Sequence, residues 1–235
     1  MGEIRAESVR NIALVSNVGA GKTSLTEALL YASGAIPTLG SVLQGTTVSD
    51  FEPEELHHHC SASTSLLQFT WNQTAITLVD SPGALSLSGE SLSALRAVDA
   101  VIIVLNPGAG VRTELARLWH RVRELDLPCL VFVNGLDKEG ASFDAALDLC
   151  RTQLECAPIP MVLPARSGSG FDSVIDLLDD TLIRSGCSSP KVERAAVPSE
   201  MEQAVKHARK QLIEAVAERD EELLNRYLEQ GDLSR

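Results

Sequence analysis

The sequence has little that could form a metal cluster, a disulfide framework or a membrane span. Its five cysteines include no pair spaced Cys-x-x-Cys, and an odd number cannot all pair within one chain. No apolar run approaches the ~18 residues that a transmembrane helix needs. The first residues, MGEIRAESVR, are polar and charged, unlike a secretory signal peptide. These absences predict a cytoplasmic protein without a membrane partner.

Basic residues are also scarce. The formal net charge is −12, which argues against DNA binding through a broad basic surface because phosphate contacts need Lys and Arg. Much of the acidity lies in the last third, where it is typical of a solvated face or a protein-contact surface. Hydrophobic residues make up 44% of the chain, which is enough to build a folded core.

Short apolar runs alternate with helical patterns over the first two thirds of the chain. Asn11–Ser16, Ala100–Leu105 and Leu127–Val133 are typical of buried parallel strands. Leu66–Trp71 and Ala75–Val79 are separated by a short turn and predict a hairpin. The sequence therefore predicts an α/β protein, a three-layer α/β/α sandwich whose sheet is mostly parallel with one antiparallel edge strand.

The alternation becomes irregular after about residue 155. Phe171 to Ile183 has a helical pattern, Ser185 to Pro198 resembles a linker, and about 198–229 predicts one long amphipathic helix. We therefore expect a core over residues 1–157 and an annex over residues 158–235.

A glycine-rich loop follows the first apolar run and precedes a helical pattern. In such a loop the backbone N–H groups and the helix N-terminus cradle phosphate. Lys22 would reach the outer phosphates and the Thr23 hydroxyl would bind Mg²⁺. The pattern is that of a P-loop NTPase, with Ser16 in place of the usual first glycine. The predicted phosphate-binding residues are Ser16, Asn17, Val18, Gly19, Ala20, Gly21, Lys22, Thr23 and Ser24.

Asp80-Ser81-Pro82-Gly83 comes directly after a predicted strand. An Asp at the carboxyl end of a parallel strand can face the phosphate loop and hold Mg²⁺ through water. Gly83 adds a backbone amide that could contact a terminal phosphate, because glycine permits close approach. Asp80 and Gly83 therefore join the predicted site.

Asn134 and Asp137 follow another apolar strand. The Asp137 carboxylate could accept both N1–H and the 2-amino hydrogen of guanine, a donor pair that adenine lacks. Asn134 could bind the base and tie neighbouring loops together. A P-loop kinase would explain the phosphate loop but not these two residues. The sequence therefore predicts a GTP or GDP site with Mg²⁺.

Beyond these motifs the chain resembles the translational GTPases, specifically elongation factor G, its paralogues and the ribosomal protection proteins. The resemblance implies a GTPase that acts on the ribosome. It further implies that residues 158–235 are a helical insert that faces a ribosomal stalk protein. It also implies that Ser61 binds Mg²⁺ where the family has Thr. Further residues that carry the resemblance are Arg10 to Ile12, Thr26 to Tyr31, Ser33 to Ile36, Gly45 to Thr47 with Asp50, Phe132 to Asn134, and Glu221 to Leu224 with Tyr227 and Leu228.

The chain also departs from the family pattern. Ala84 stands where the family has the His that positions attacking water, so no catalytic residue is intact and slow hydrolysis is expected. Gly135 replaces a Lys whose stem lies along the base, which predicts weaker nucleotide binding. Gly19 replaces an Asp in the loop. His57 to His59 replace a charged stretch and are expected to be loop surface rather than a metal site.

The sequence ends before a further base-contacting motif of the family, so we expect an incomplete nucleotide domain from an excised or truncated chain. Two alternatives to a slow GTPase stay open at this point. One is a non-hydrolysing module whose loop over residues 35–64 switches with the nucleotide. The other is a degenerate scaffold that binds no nucleotide.

Overall fold

The computed structural model describes residues 6–49, 52, 55, 63–82, 88–185 and 192–230. These residues form two compact units. The first contains the described residues up to Gly135 together with Thr152–Leu154, and the second contains Leu136–Arg151 and the described residues from Glu155 onward. No helix in the described ranges has the length and apolar character needed to cross a membrane.

The first unit is built on a five-stranded sheet in the order β2-β3-β1-β4-β5. Strands β1, β3, β4 and β5 are parallel, and β2 is antiparallel to β3 at one edge. Its strands are β1 (Val9–Ser16), β2 (Ser65–Trp71), β3 (Thr74–Asp80), β4 (Ala100–Leu105) and β5 (Cys129–Val133), and its helices are α1 (Lys22–Ala32), α2 (Ser88–Ala94) and α3 (Thr113–Glu124). The predicted three-layer α/β fold with one antiparallel edge strand is confirmed.

The central strands carry continuous apolar runs because helices cover the sheet on both faces. Leu14 and Val15 in β1 and Ile103 and Leu105 in β4 are at most 1% exposed. Leu25 of α1 and Ala20 of the preceding loop pack in one buried cluster with Leu14. The loop after β1 is therefore anchored in the core at its centre.

Parallel pairing brings the carboxyl ends of the strands to one edge of the sheet. Leu14 of β1 lies opposite Asp80 of β3, and Ser16 of β1 lies opposite Val104 of β4. The chain segments that follow β1, β3, β4 and β5 consequently leave the sheet at the same edge, where the predicted motifs begin.

The second unit contains a four-stranded antiparallel sheet in the order β6-β7-β8-β9. Its buried centre combines Ile175, Leu177 and Leu182 from the sheet region with Val205 and Leu212 from a helix. The elements are α4 (Phe143–Gln153, whose last two residues belong to the first unit), β6 (Val162–Pro164), β7 (Ser173–Asp176), β8 (Thr181–Ser185), β9 (Val192–Ala196), α5 (Glu202–Ala217) and α6 (Glu221–Gln230).

The prediction of a helix over Phe171 to Ile183 is wrong, because these residues contribute β7 and β8 with a turn between them. Asp176 accepts hydrogen bonds from the backbone N–H groups of Leu178 and Asp179, at 2.9 and 3.4 Å. Asp180 has φ +47°, a left-handed conformation that Asp tolerates in turns. The predicted linker from Ser185 to Pro198 is also wrong where β9 pairs with β8.

The long helix predicted over about 198–229 is two helices, α5 and α6. The Asp220 carboxylate accepts hydrogen bonds from the N–H groups of Glu222 and Leu223, at 2.9 and 3.0 Å. This is N-cap geometry, which starts a new helix rather than continuing the old one. Tyr227 of α6 donates a hydrogen bond to Glu214 of α5 at 3.3 Å, so the two helices contact each other.

The difference in burial predicts that replacing two leucines of the first unit by alanine lowers the free energy of unfolding by different amounts. Leu115 in α3 is 0% exposed, whereas Leu43 is 84% exposed. Leu115→Ala should lower the free energy of unfolding by about 2–5 kcal/mol because it leaves a cavity. Leu43→Ala should change it by less than about 0.5 kcal/mol. Urea unfolding followed by circular dichroism measures both, and similar losses would contradict the burial described here.

Candidate functional site

The loop between β1 and α1 is shaped by two glycines with left-handed backbones. Gly19 has φ +73° and Gly21 has φ +96°, a region that residues with a Cβ rarely adopt. Gly21 is the N-cap of α1, and its carbonyl accepts a hydrogen bond from Leu25 N–H at 3.0 Å. A Cβ on Gly21 would overlap the Asn134 side-chain nitrogen. Glycine is therefore required at residue 21 by both conformation and space.

Lys22 lies at the start of α1 with only 8% of its surface exposed. Its Nζ donates a hydrogen bond to Ser16 Oγ at 3.1 Å, and that hydroxyl donates to the Asn17 carbonyl at 2.6 Å. Ser16, which departs from the usual glycine, thus provides an acceptor for the lysine. The sequence predicted both residues for the site but not this contact.

Asn17 and Asn134 connect the loop to neighbouring strand ends. Asn17 Nδ2 donates to the Gly110 carbonyl at 2.8 Å, and its Oδ1 accepts from Arg112 N–H at 3.3 Å. Asn134 Nδ2 donates to the Ala20 carbonyl at 2.8 Å. The expectation that Asn134 ties neighbouring loops together is confirmed, whereas its contact with a base stays a prediction.

Asp80, at the end of β3, lies against α1. The carboxylate is 1% exposed, and its Oδ2 accepts a hydrogen bond from Thr26 Oγ1 at 3.2 Å. Ser81 beside it is equally buried and donates to the Leu14 carbonyl at 3.2 Å. Thr26 comes three residues after Thr23, so the helix that carries the predicted Mg²⁺ ligand also orients Asp80.

The donor chemistry at this edge of the sheet fits Mg²⁺. A hydroxyl from Thr23 and a carboxylate from Asp80 are oxygen ligands, and Mg²⁺ is held by few protein oxygens together with phosphate and water. The described ranges contain no group of three or more His, Cys, Asp or Glu side chains arranged for a metal ion. A protein-only metal cage is therefore not offered by the described residues.

Several residues that the sequence predicts for the site are exposed, and others lie outside the described residues. Val18 is 44% exposed, and Gly19 in the loop and Ser24 in α1 are also exposed. Asp137 is exposed in the second unit, next to the buried Leu136, whose carbonyl accepts from Gly168 N–H at 2.7 Å. Ser61, Gly83 and Ala84 lie outside the described residues, as do Asp50 and His57 to His59.

The family model described as "Elongation factor Tu GTP binding domain" matches residues 7–224. The chain belongs to this GTP-binding domain family. Its members are GTPases, so the predicted resemblance to the nucleotide-binding domain of elongation factor G-like translational GTPases is confirmed.

Individual proteins that are similar to this chain support the same family assignment. Elongation factor G of Thermotoga petrophila is 33% identical over 229 residues, which covers 97% of this chain and 33% of that protein. The mitochondrial ribosome-releasing factor 2 of Yarrowia lipolytica is 30% identical over 234 residues, covering 96% and 29%. A crystal structure of a protein from Thermus thermophilus has a TM-score of 0.85 and 36% identity, covering 94% and 33%. The chain spans about a third of the length of these proteins.

Sequence reasoning missed two polar residues on the buried face of α1. Thr26 and Glu27 are both 0% exposed, although the sequence analysis named them only within the stretch Thr26 to Tyr31 that carries the family resemblance. Both side chains have partners far along the chain, Thr26 with Asp80 and Glu27 with the backbone of Gly40 and Val48. A carboxylate within an apolar helix face was the available signal.

The steric role of Gly21 can be separated from its backbone strain. Gly19→Ala and Gly21→Ala both place alanine at positive φ, but a Cβ at residue 19 meets nothing within 4 Å. Gly21→Ala should therefore lower the unfolding free energy by at least about 1 kcal/mol more than Gly19→Ala, because of overpacking against Asn134. Chemical denaturation of both variants measures the difference.

An Asn134→Ala background provides the control, because it removes the atom that the new Cβ would overlap. The excess cost of Gly21→Ala should shrink in that background, as expected for two side chains in contact. An excess cost that is unchanged without the Asn134 side chain would contradict the packing described for this loop.

Proposed function

We propose that the chain binds GTP or GDP together with Mg²⁺ and serves as the nucleotide domain of a GTPase that works on the ribosome. The observation that carries the proposal is the loop over residues 16–21 at the sheet edge, with Lys22 held at its base and Asp80 beside the same helix. Family membership supports the nucleotide, and the names elongation factor G and ribosome-releasing factor 2 among its relatives support the ribosome.

The phosphates would bind over the start of α1. Positive φ at Gly19 and Gly21 turns the backbone through the loop, as an anion-binding nest requires. The helix N-terminus adds the positive end of its dipole. Lys22 would exchange its Ser16 hydroxyl acceptor for a phosphate oxygen, and the Gly83 amide would contact the terminal phosphate.

Thr23, Asp80 and Ser61 are the residues that would hold Mg²⁺, which neutralises charge on the terminal phosphates when bound. Thr23 would supply its hydroxyl directly and Asp80 would act through water. Thr26 keeps the Asp80 carboxylate in place by donating to it at 3.2 Å. Orientation of a metal-binding carboxylate by a neighbouring donor is the usual arrangement around such ions.

Asn134 and Asp137 would recognise guanine. The hydrogen bond from Asn134 to the Ala20 carbonyl holds the base-binding segment to the phosphate loop. Gly135 between them has φ +78° and offers no side chain for the base to lie against. We therefore propose selective but weakened guanine binding.

Hydrolysis would transfer the terminal phosphoryl group of GTP to water, giving GDP and inorganic phosphate. Ala84 cannot orient that water, so we propose slow turnover. The same residue favours a second candidate function, a module that binds and releases nucleotide without hydrolysing it.

The remaining parts of the proposal concern the larger protein. We propose residues 1–157 as the nucleotide core and residues 158–235 as an insert that contacts a ribosomal stalk protein. The acidic helix α6 of that insert, with Glu221 and Glu222 in its first turn, is consistent with a protein-contact surface.

Nucleotide selectivity tests the guanine assignment. Labelled GDP and GTP should bind in the presence of Mg²⁺, and ATP should bind at least ~100-fold more weakly. Asp137→Asn should lower GTP affinity and raise affinity for xanthosine nucleotides, because xanthine carries an oxygen where guanine has its amino group and the Asn amide can donate to it. Equal binding of ATP and GTP would refute the assignment.

Turnover tests whether Ala84 is the cause of slow hydrolysis. Ala84→His should raise single-turnover phosphate release in the presence of ribosomes by roughly 100-fold, the size typical of a group that handles the proton of the attacking water. Nucleotide affinity should barely change. Ala145→His, at an exposed position of α4, is the matched control. Unchanged release in Ala84→His would mean that Ala84 is not the cause of slow hydrolysis.

A further inference from the structure

The segment after α1 contains a compact loop over residues 40–48. A short 3₁₀ turn, Val42–Gln44, forms its tip, and Gly45 follows at φ +62°. Ser41 and Thr46 close the loop, because Ser41 N–H donates to Thr46 Oγ1 at 3.0 Å and Thr46 N–H donates to the Ser41 carbonyl at 3.1 Å. The loop is therefore a defined structural unit rather than an open chain.

Glu27 of α1 holds both ends of this loop. One carboxylate oxygen accepts from Gly40 N–H at 3.0 Å and the other accepts from Val48 N–H at 2.6 Å. The side chain is 0% exposed. Hydrogen bonds to an ionised carboxylate are short and about twice as strong as neutral ones, and burial keeps water from competing for them. Glu27 therefore clamps the loop to the helix.

Gly40 shows how closely the loop approaches the clamp. A Cβ at this residue would overlap Glu27 Oε2 and would lie 2.7 Å from the Thr46 carbonyl oxygen. The Glu27 carboxylate cannot move far without breaking its hydrogen bonds, and the Thr46 carbonyl belongs to the residue that closes the loop with Ser41. Any larger residue at position 40 must push the loop away from α1.

Two hydroxyl groups, one in the clamped loop and one in the residue that follows it, favour release of the loop. Thr47 Oγ1 and Ser49 Oγ are buried without a hydrogen-bond partner in the part of the chain that the structure describes. A buried hydroxyl that lacks a partner is costly, and exposure to water would relieve that cost. The position of the loop is thus a balance between the Glu27 clamp and these hydroxyls.

Helix α1 connects the clamped loop to the proposed nucleotide site. Lys22 and Thr23 begin α1, Thr26 orients Asp80, and Glu27 holds the loop. Beyond the loop the chain leads to Ser61, the proposed Mg²⁺ ligand. In GTPases, segments of this kind are ordered by the terminal phosphate and its Mg²⁺ and released on hydrolysis. Holding such a segment on α1 would then favour the triphosphate state over the diphosphate state.

We propose that Glu27 is a positioning residue that, by clamping residues 40–48 to α1, sets the preference of the site for GTP over GDP. The role rests on the proposed function, because it acts through the nucleotide site. It differs from a purely structural role in one respect: loss of the clamp should change the two nucleotide affinities unequally.

The test compares affinities for fluorescent GDP and for a fluorescent non-hydrolysable GTP analogue. Glu27→Gln, which keeps the shape but replaces one acceptor by a donor, should weaken analogue binding relative to GDP by roughly fivefold or more, within the range of typical site-to-site coupling. Gly40→Ala should shift the ratio in the same direction while leaving Glu27 intact. Thr47→Val removes an unpaired hydroxyl and should shift it in the opposite direction.

Matched controls make the same chemical changes elsewhere. Glu139→Gln alters an exposed carboxylate, and Gly170→Ala adds a Cβ whose nearest neighbour is 3.7 Å away. Neither should change the ratio. If Glu27→Gln does not fold, Gly40→Ala and Thr47→Val still decide the matter.

A ratio that stays constant in the folded variants, or an equal loss for both nucleotides, would overturn the role of Glu27 while leaving nucleotide binding intact. Failure of the unmodified chain to bind either nucleotide would instead refute the proposed function, and this role with it. Amide hydrogen exchange at Gly40 and Val48 should be faster in Glu27→Gln, and unchanged protection there would contradict the clamp directly.

Discussion

The parallel alignment of β1, β3 and β4 is the constraint on which the site depends. Because parallel strands end at a common edge, residues that are far apart in sequence leave the sheet side by side. Leu14 lies opposite Asp80, and Ser16 opposite Val104. The loop before α1 can therefore form hydrogen bonds with segments that follow β4 and β5. Slippage of one strand by one residue would move Asp80 off the helix that orients it.

The strands and the main motifs were predictable because their signals are local. An apolar run bounded by polar residues predicts a buried strand, and a glycine-rich turn before a helical pattern predicts a phosphate loop. The family resemblance rested on such local stretches, and the match over residues 7–224 confirms it. The same locality limits the prediction, because it gives the ends of strands but not the partners of individual side chains.

The contacts that the sequence could not reveal are long-range or depend on turn chemistry. Thr26 and Asp80 are 54 positions apart, and Glu27 and Val48 are 21 apart, so no period links them. In the second unit, Asp176 and Asp180 form a tight turn inside an apolar stretch whose spacing suited a helix equally well. At Asp220 a single capping carboxylate divides one amphipathic pattern into two helices. The contact between Asp137 and guanine stays a prediction.

The hydrogen bond between Lys22 and Ser16 has a consequence for any measured affinity. In the proposed binding mode, a phosphate that binds Lys22 competes with a hydroxyl acceptor already 3.1 Å from the ammonium group. Where that exchange takes place, the observed binding free energy includes the loss of the hydrogen bond to Ser16. Ser16 is in this sense an internal competitor of the ligand. A P-loop with glycine at this position lacks that competitor, so equal lysine–phosphate contacts in two such proteins need not give equal affinities.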